Sequence, residues 1–325
     1  MKTFAAINEI ISREIAGIDL NKKPEGLYAP VVYTLSLGGK RIRPALVLMA
    51  ADMFGGDIYQ AVGPALGIEV FHNFTLLHDD IMDKAEIRRG RPTVHLEWNE
   101  NTAILSGDLM QILAYQLVAK APVATLPEVL QIFSQTAAEV CEGQQYDMDF
   151  ESRSQVNADE YLEMIRLKTA VLLACALKTG AIIGGASAKD AQLLYDFGIH
   201  IGLAFQLKDA LLDVYGDEKT FGKKIGGDIL CNKKTYLLIH ALQQARGRDA
   251  EDLHQWLRIT EVNDPQVKIN AVTAIYDRSG VRTICEDKML SYYEMAIADL
   301  KQVSVPDENK RELLSLAAKL MDRKD

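Results

Sequence analysis

The amino-acid sequence predicts an all-α protein, on three observations. Apolar residues recur near every 3.6 positions through "AILSGDLMQILAYQLVAK", "DEYLEMIRLKTAVLLACALKTG" and "DAQLLYDFGIHIGLAFQLKDALLDVYG". Most of the 9 prolines fall at breaks between such segments, at Pro44, Pro64, Pro92, Pro122, Pro127, Pro265 and Pro306. Alternating strand-like stretches bounded by turn dipeptides are scarce. No Gly/Ser-rich or charge-rich linker divides the chain, so a single domain over residues 1–325 is expected.

Taken in order, the N-terminal "MKTFAAINEIISREIAG" breaks its apolar positions with charges and reads as an amphipathic helix rather than a signal peptide. The uninterrupted apolar run "AVLLACAL", residues 170–177, falls far short of the roughly 20 residues that span a bilayer. Hydrophobic content of 48% and charged content of 25% are those of a soluble globular chain. The formal charge of −9 argues against a general nucleic-acid binder, which needs surplus Lys and Arg for phosphate backbones. Cys141, Cys175, Cys231 and Cys285 lie far apart with no C-x-x-C pair, which fits reduced thiols in a cytoplasmic setting better than zinc or disulfides.

Residues 76–92, "LLHDDIMDKAEIRRGRP", concentrate three aspartates and then three arginines. Like charges that close need something of opposite sign between them. Asp79 and Asp83 are four apart, on nearly the same side of a helix, and the layout returns at Asp209 and Asp213 in "QLKDALLD". Such carboxylate pairs share hard cations, and Mg²⁺ binds through one or two carboxylates plus substrate phosphates. Two helices of this kind facing each other would grip a diphosphate. The plain alternative is a solvated acidic face, and the apolar neighbours Leu76, Leu77, Ile81, Met82, Leu207, Leu211 and Leu212 weigh against it.

Basic residues next to glycines suggest anion sites in a chain that is acidic overall. Arg88 and Arg89 offer fork-like donors to phosphate oxygens, and the glycine of "RRGRP" lets backbone come close. "GGKRIRP" adds Lys40, Arg41 and Arg43; "KKIGGD" adds Lys223 and Lys224 beside Asp228; Lys168-Thr169 and Lys233 complete the set.

At these motifs, "GGKRIRP", "HDDIMDKAEIRRGRPT", "EGQQYD", "RLKTA", "GLAFQLKDALLD" and "GKKIGGDI", the sequence resembles the trans-isoprenyl diphosphate synthases over roughly residues 25–240. The resemblance implies one all-α domain around a deep central cavity, the isoprenoid synthase fold, assembled as a homodimer. It implies head-to-tail condensation of isopentenyl diphosphate with an allylic diphosphate (dimethylallyl, geranyl or farnesyl), releasing pyrophosphate. Two or three Mg²⁺ ions are implied, on Asp79, Asp83, Asp209 and Asp213. Arg88, Lys168 and Lys224 would neutralise the allylic diphosphate, and Lys40, Arg43, His72 and Arg89 would bind isopentenyl diphosphate. Thr169 and Gln206 would set oxygen dipoles around the allylic cation, and Gln144 and Asp147 resemble a polar pair beside the first acidic motif.

One departure stands out. Where the family has a second D-D-x-x-D, this chain reads Asp209-Ala210-Leu211-Leu212-Asp213, so a weakened third metal is expected. The departure keeps open a non-catalytic partner subunit, and a terpene cyclase is a further rival. Phe74 and Thr75, five and four residues before Asp79, stand where family members limit product length. One aromatic there resembles the arrangement for a twenty-carbon product, geranylgeranyl diphosphate; a fifteen-carbon product stays open through Phe71, Leu105, Met110 and Tyr115.

Overall fold

The computed structural model describes residues 2–216, 225–259 and 263–322. Lys223 and Lys224, as well as Arg323 and Lys324 of the C-terminus, lie outside the described residues. In chain order the elements are α1 (Phe4–Ala16), α2 (Glu25–Ser36), α3 (Ile42–Met53), a 3-10 turn (Ile58–Ala61), α4 (Val62–Met82), β1 (Ile87–Arg88), β2 (Arg91–Pro92), α5 (Val94–Glu97) and α6 (Glu100–Val118). Then come α7 (Leu126–Ser152), α8 (Ala158–Ile165), a π-helical turn (Arg166–Ala170), α9 (Val171–Ile183), α10 (Ala188–Tyr215) and α11 (Gly227–Leu230). The chain closes with α12 (Tyr236–Gln244), α13 (Arg248–Arg258), α14 (Pro265–Arg278), α15 (Val281–Gln302) and α16 (Asp307–Met321). The fold is all-α, as the periodicity predicts: β1 and β2 are the only strands among the described residues.

The prolines sit where helices tolerate them. Pro265 opens α14 behind an Asp264 cap, and Pro44 and Pro64 fall in first turns, where the missing N–H is an orphan in any case. Pro30 is the exception, lying inside α2.

The chain divides into two compact units. The first comprises Met1–Gln135, Cys175–Tyr195 and Val303–Leu313. Within it α1 buries Ile7, Ile11 and Ile15, one stripe at four-residue spacing, and is capped by Thr3, whose side chain accepts from the Ala6 N–H. α3 is buried all round from Pro44 to Ala51. α4 carries Phe71, which meets Phe74 at 5.5 Å and Phe133 at 5.3 Å between ring centroids, with Tyr115 on the far side of Phe133 at 5.0 Å. Each such ring contributes about 2 kcal/mol through burial.

The second unit comprises Thr136–Ala174, Asp196–Gln302 and Leu314–Asp325. Its core gathers Tyr161, Leu162, Ile165, Leu203, Leu207, Leu237, Val272, Tyr276 and Cys285. α8 begins with a reciprocal cap: Asn157 accepts from the Glu160 N–H at 2.9 Å and the Glu160 carboxylate accepts from the Asn157 N–H at 2.9 Å. The segment "DEYLEMIRLKTAVLLACALKTG", with its helical apolar period, is interrupted at "RLKTA" by the π turn, closed by a bond from the Val171 N–H to Arg166 O. Such a turn inserts one residue into the helical repeat, which leaves the apolar pattern on both sides looking regular. No described helix is long and apolar enough to cross a membrane.

Candidate active site

In the first unit the acidic motif closes α4. Asp79 and Asp80 lie in its last turn, and Asp83 is its C-cap, bonding its own N–H to Asp79 O at 2.8 Å, so the four-residue spacing survives to the helix end. That end carries the partial negative charge of the helix, and its last turn has no basic residue. Carboxylates there raise one another's cost, which is the arrangement a bound cation relieves.

Arg88 meets this cluster through Asp80. Its Nη2 stands 2.5 Å from Asp80 Oδ1, its Nε donates to both Asp80 oxygens at 3.0 and 3.2 Å, and Asp79 Oδ2 is 3.7 Å away. Asp80, absent from the residues picked out by sequence, is 4% exposed and is the carboxylate that fixes the arginine. Burial pushes the Asp80 carboxyl up against the pull of Arg88. Burial likewise works against the Arg88 charge, and Asp80 and Asp79 outweigh it, so the guanidinium stays charged.

The hairpin that delivers Arg88 has a two-residue turn, Arg89-Gly90, with φ of 52° and 76° and Arg88 paired to Arg91. Both central residues are left-handed, as a type I′ turn demands, and Gly90 supplies one of them. Arg89 donates through Nη1 to Gly38 O.

Arg43 and His72 form a second basic group, with Nη1 3.1 Å from Nε2. Arginine has no acceptor, so His72 Nε2 accepts and the ring carries its proton on Nδ1. Burial, then Arg43, Arg89 and Arg88, hold the His72 pKa well below the usual imidazole range. Burial and Arg89 bring Arg43 down to about 10 against the opposing pull of Glu69. Arg43 Nε is buried with no partner among the described residues, a donor kept for something else. Lys40 is exposed, and Arg41 turns away to donate to Ser12 Oγ at 2.8 Å.

Phe74 is buried, 4.8 Å from the ring of His78, whose Nε2 lies 3.1 Å from Ile104 O. Thr75 bonds its hydroxyl to His72 O at 2.8 Å. Of the residues named from sequence as able to narrow the cavity floor, Met110 is buried and Leu105 is 59% exposed.

The second unit holds a pocket of about 190 Å³ lined by Lys168, Thr169, Gln206, Asp209, Asp213 and Lys233, all singled out by sequence, and also by Asp147, Tyr161, Ala210 and Asp228. The π turn presents Lys168 and Thr169. It is seated against Gly143 of α7, where a Cβ would stand 2.3 Å from the Lys168 nitrogen. Asp147 is claimed by two lysines, Lys168 at 2.6 Å and Lys233 at 3.7 Å. Burial alone would raise its pKa; Lys233 and Lys168 more than reverse that and hold it below the carboxylate norm. Asp213 accepts from the Asp228 N–H at 3.1 Å. Asp209 and Asp213 occupy the C-terminal turns of α10, again with no basic residue in the last turn.

No three carboxylate, imidazole or thiol groups converge into a ready-made metal cage among the described residues. Pairs suit a hard cation that takes its remaining ligands from substrate phosphates and water. Of the residues read from sequence, the first unit thus brings together Asp79, Arg88, Arg43 and His72, and the second brings together the pocket set; Lys224 lies outside the described residues. Asp80 had a signal in the doublet "DD". Tyr161 and the π turn had none.

Carboxylate pairs at helix ends, set beside arginine and lysine donors on an all-helical scaffold, define a class: helical enzymes that act on diphosphates. The polyprenyl synthetase family pattern matches residues 24–275, and the chain belongs to that family and is a prenyltransferase. It is 40% identical over 296 residues to a short chain isoprenyl diphosphate synthase of Methanothermobacter thermautotrophicus, covering 91% of this chain and 89% of that one. A crystal structure of a geranylgeranyl pyrophosphate synthase superposes with a TM-score of 0.95 at 44% identity over 100% of both chains. A polyprenyl synthase from Caulobacter crescentus, solved with calcium and isoprenyl diphosphate, superposes with a TM-score of 0.87 at 29% identity, over 99% of this chain and 96% of that one.

Proposed function

We propose that this chain, acting as one catalytic domain over residues 1–325, joins isopentenyl diphosphate to dimethylallyl, geranyl or farnesyl diphosphate and releases pyrophosphate, with geranylgeranyl diphosphate as the main product. The observation that carries this is the end of α4, where Asp79 and Asp83 crowd a negative helix terminus beside a guanidinium locked in place by Asp80.

Asp79 and Asp83 would hold divalent cations, as would Asp209 and Asp213; Mg²⁺, two or three ions, suits their all-oxygen donors. Bound there, the ions would act as Lewis acids toward the leaving diphosphate. Arg88, Lys168, Lys224 and Lys233 would meet its remaining charge, Lys168 being paired with Asp147. Thr169 and Gln206 turn oxygen dipoles toward the allylic cation. Arg43, whose Nε has no partner among the described residues, takes the second diphosphate together with Lys40, His72 and Arg89. The closing proton leaves to the released pyrophosphate, since neutral His72 is engaged with Arg43. A homodimer in the cytoplasm completes the proposal. Leu105 and Ile112, exposed seven residues apart on α6, supply apolar surface for a second copy.

The test is incubation with isopentenyl diphosphate and each primer in turn, followed by mass analysis. A twenty-carbon product is expected; no condensation with any primer would convert the reading to a non-catalytic subunit, and a stop at fifteen carbons would make it a farnesyl diphosphate synthase. Phe74→Ala should lengthen the product by one or more five-carbon units, and an unchanged spectrum would remove Phe74 from the chain-length argument.

A further inference from the structure

We propose that Lys268, on α14, is a positioning residue for the second unit's pocket: it ties down the turn Leu230–Asn232 so that Lys233 is presented to Asp147 and to a bound diphosphate. The inference rests on the reading of that pocket as a diphosphate site.

Lys268 is 1% exposed, among the most buried side chains of the protein. Its ammonium bonds to neutral oxygens: Asn232 Oδ1 at 2.8 Å, Ile259 O at 3.0 Å and Leu230 O at 3.4 Å. Three donors meet three acceptors, with no carboxylate bonded to it among the described residues. Burial pushes its pKa down. A methionine would fill the same volume but leave these three oxygens without their donor, so the lysine is to be understood through what it ties together.

What the lysine holds together explains it. Leu230 ends the four-residue α11, Asn232 is left-handed with φ of 54°, and Ile259 caps α13. Asn232 adds a bond of its own from Nδ2 to Leu257 O at 3.2 Å. Leu230 packs against the second unit's core, whereas Cys231 and Lys233 are exposed, so beyond Leu230 the path of the turn toward Lys233 leans on hydrogen bonds. The next residue is Lys233, whose Nζ lies 3.7 Å from Asp147 and whose N–H bonds to Asp228 O at 2.9 Å. Asp228 in turn donates its N–H to Asp213. A short relay of contacts therefore runs from Lys268 to the lysine and carboxylates of the pocket.

The experiment is a double-mutant cycle read by calorimetric titration of the full-length protein with inorganic pyrophosphate in the presence of Mg²⁺. Lys233→Met and Lys268→Met should each weaken pyrophosphate binding about tenfold, the scale of a hydrogen bond to a charged group. In the Lys233→Met background, Lys268→Met should cost less than about twofold more, because both changes act through one group. Lys268→Arg, which keeps the donors, should restore most of the affinity. Independent, multiplicative losses, or unchanged binding by a cooperatively folded Lys268→Met, would overturn the inference alone. Unchanged binding by Lys233→Met would overturn the pocket assignment, and the inference with it. Should Lys268→Met fail to fold, Asn232→Ala, which removes one of its acceptors, takes its place in the cycle and is read by the same criteria.

Discussion

The end of α4 reads Asp79-Asp80-Ile81-Met82-Asp83, and the end of α10 reads Asp209-Ala210-Leu211-Leu212-Asp213. In both, the first and last positions are carboxylates one helical turn apart, and in both the second position is buried, at 4% exposure for Asp80 and 6% for Ala210. The second position thus belongs to the packed side of each helix. It carries charge in the first motif, where Arg88 stands 2.5 Å away. In the second motif it faces a pocket that already holds Asp147, Asp209, Asp213 and Asp228 against Lys168 and Lys233. Charge at this position goes with the Arg88 partner in the first motif, and in the second Ala210 stands where another carboxylate would add repulsion to those already lining the pocket.

The comparison is broken or sharpened first by the outer carboxylates. Asp79→Ala should lower kcat by about 10³-fold and Asp209→Ala by about 10²-fold in a steady-state condensation assay. The larger loss falls on Asp79 because Asp80 is engaged with Arg88, so Asp83 is the other carboxylate of that motif, whereas the second pocket keeps Asp213 and Asp228 even with Asp147 engaged by Lys168 and Lys233. Equal losses would erase the distinction.

Next come the second positions themselves. Asp80→Asn leaves a half-buried guanidinium without its counter-charge and should cost about 2 kcal/mol in urea unfolding, below the range for a fully buried pair because Arg88 is part exposed. Ala210→Asp should destabilise the metal-free protein by about 1–2 kcal/mol, with much of the loss recovered on adding Mg²⁺. A variant as stable as the parent in chelator would sink the repulsion argument.

The smallest effect is pH-dependent. His72 is held neutral, with a pKa well below the roughly 6.5 of the unfolded chain. Between those values the unfolded state binds the proton that the folded state refuses. Stability from this group is therefore full above about pH 6.5 and falls as the pH drops toward the folded value. His72→Asn should flatten the melting temperature between about pH 6.5 and 5, and an unchanged slope would assign that titration elsewhere.

Much of this was legible in the sequence for physical reasons. The apolar recurrence marks α6 and α10 because apolar residues return at helical spacing, and the four-residue spacing of Asp79 and Asp83 is a property of the helix itself. In the pocket set, Asp209 and Asp213 were legible from their spacing and Lys168 and Lys233 from their basic clusters, whereas the roles of Thr169 and Gln206 came only from the resemblance to the family. What stayed hidden depends on partners distant in sequence. The bond from Arg88 to Asp80 rather than to Asp79 is decided by the tight turn at Arg89-Gly90, the break at Arg166–Ala170 leaves no trace in hydropathy, and Lys268 reads as an ordinary surface lysine until Asn232 and Ile259 are folded against it.

At Gly143 the α7 backbone comes so near the π turn that a methyl group would strike the Lys168 nitrogen. The separation of the two is therefore set by direct contact, with no side chain in between to trim or lengthen. Tuning by mutation cannot proceed in small steps at that seam. Variation in what the enzyme makes must be written into other surfaces, while this one tolerates no letter but glycine.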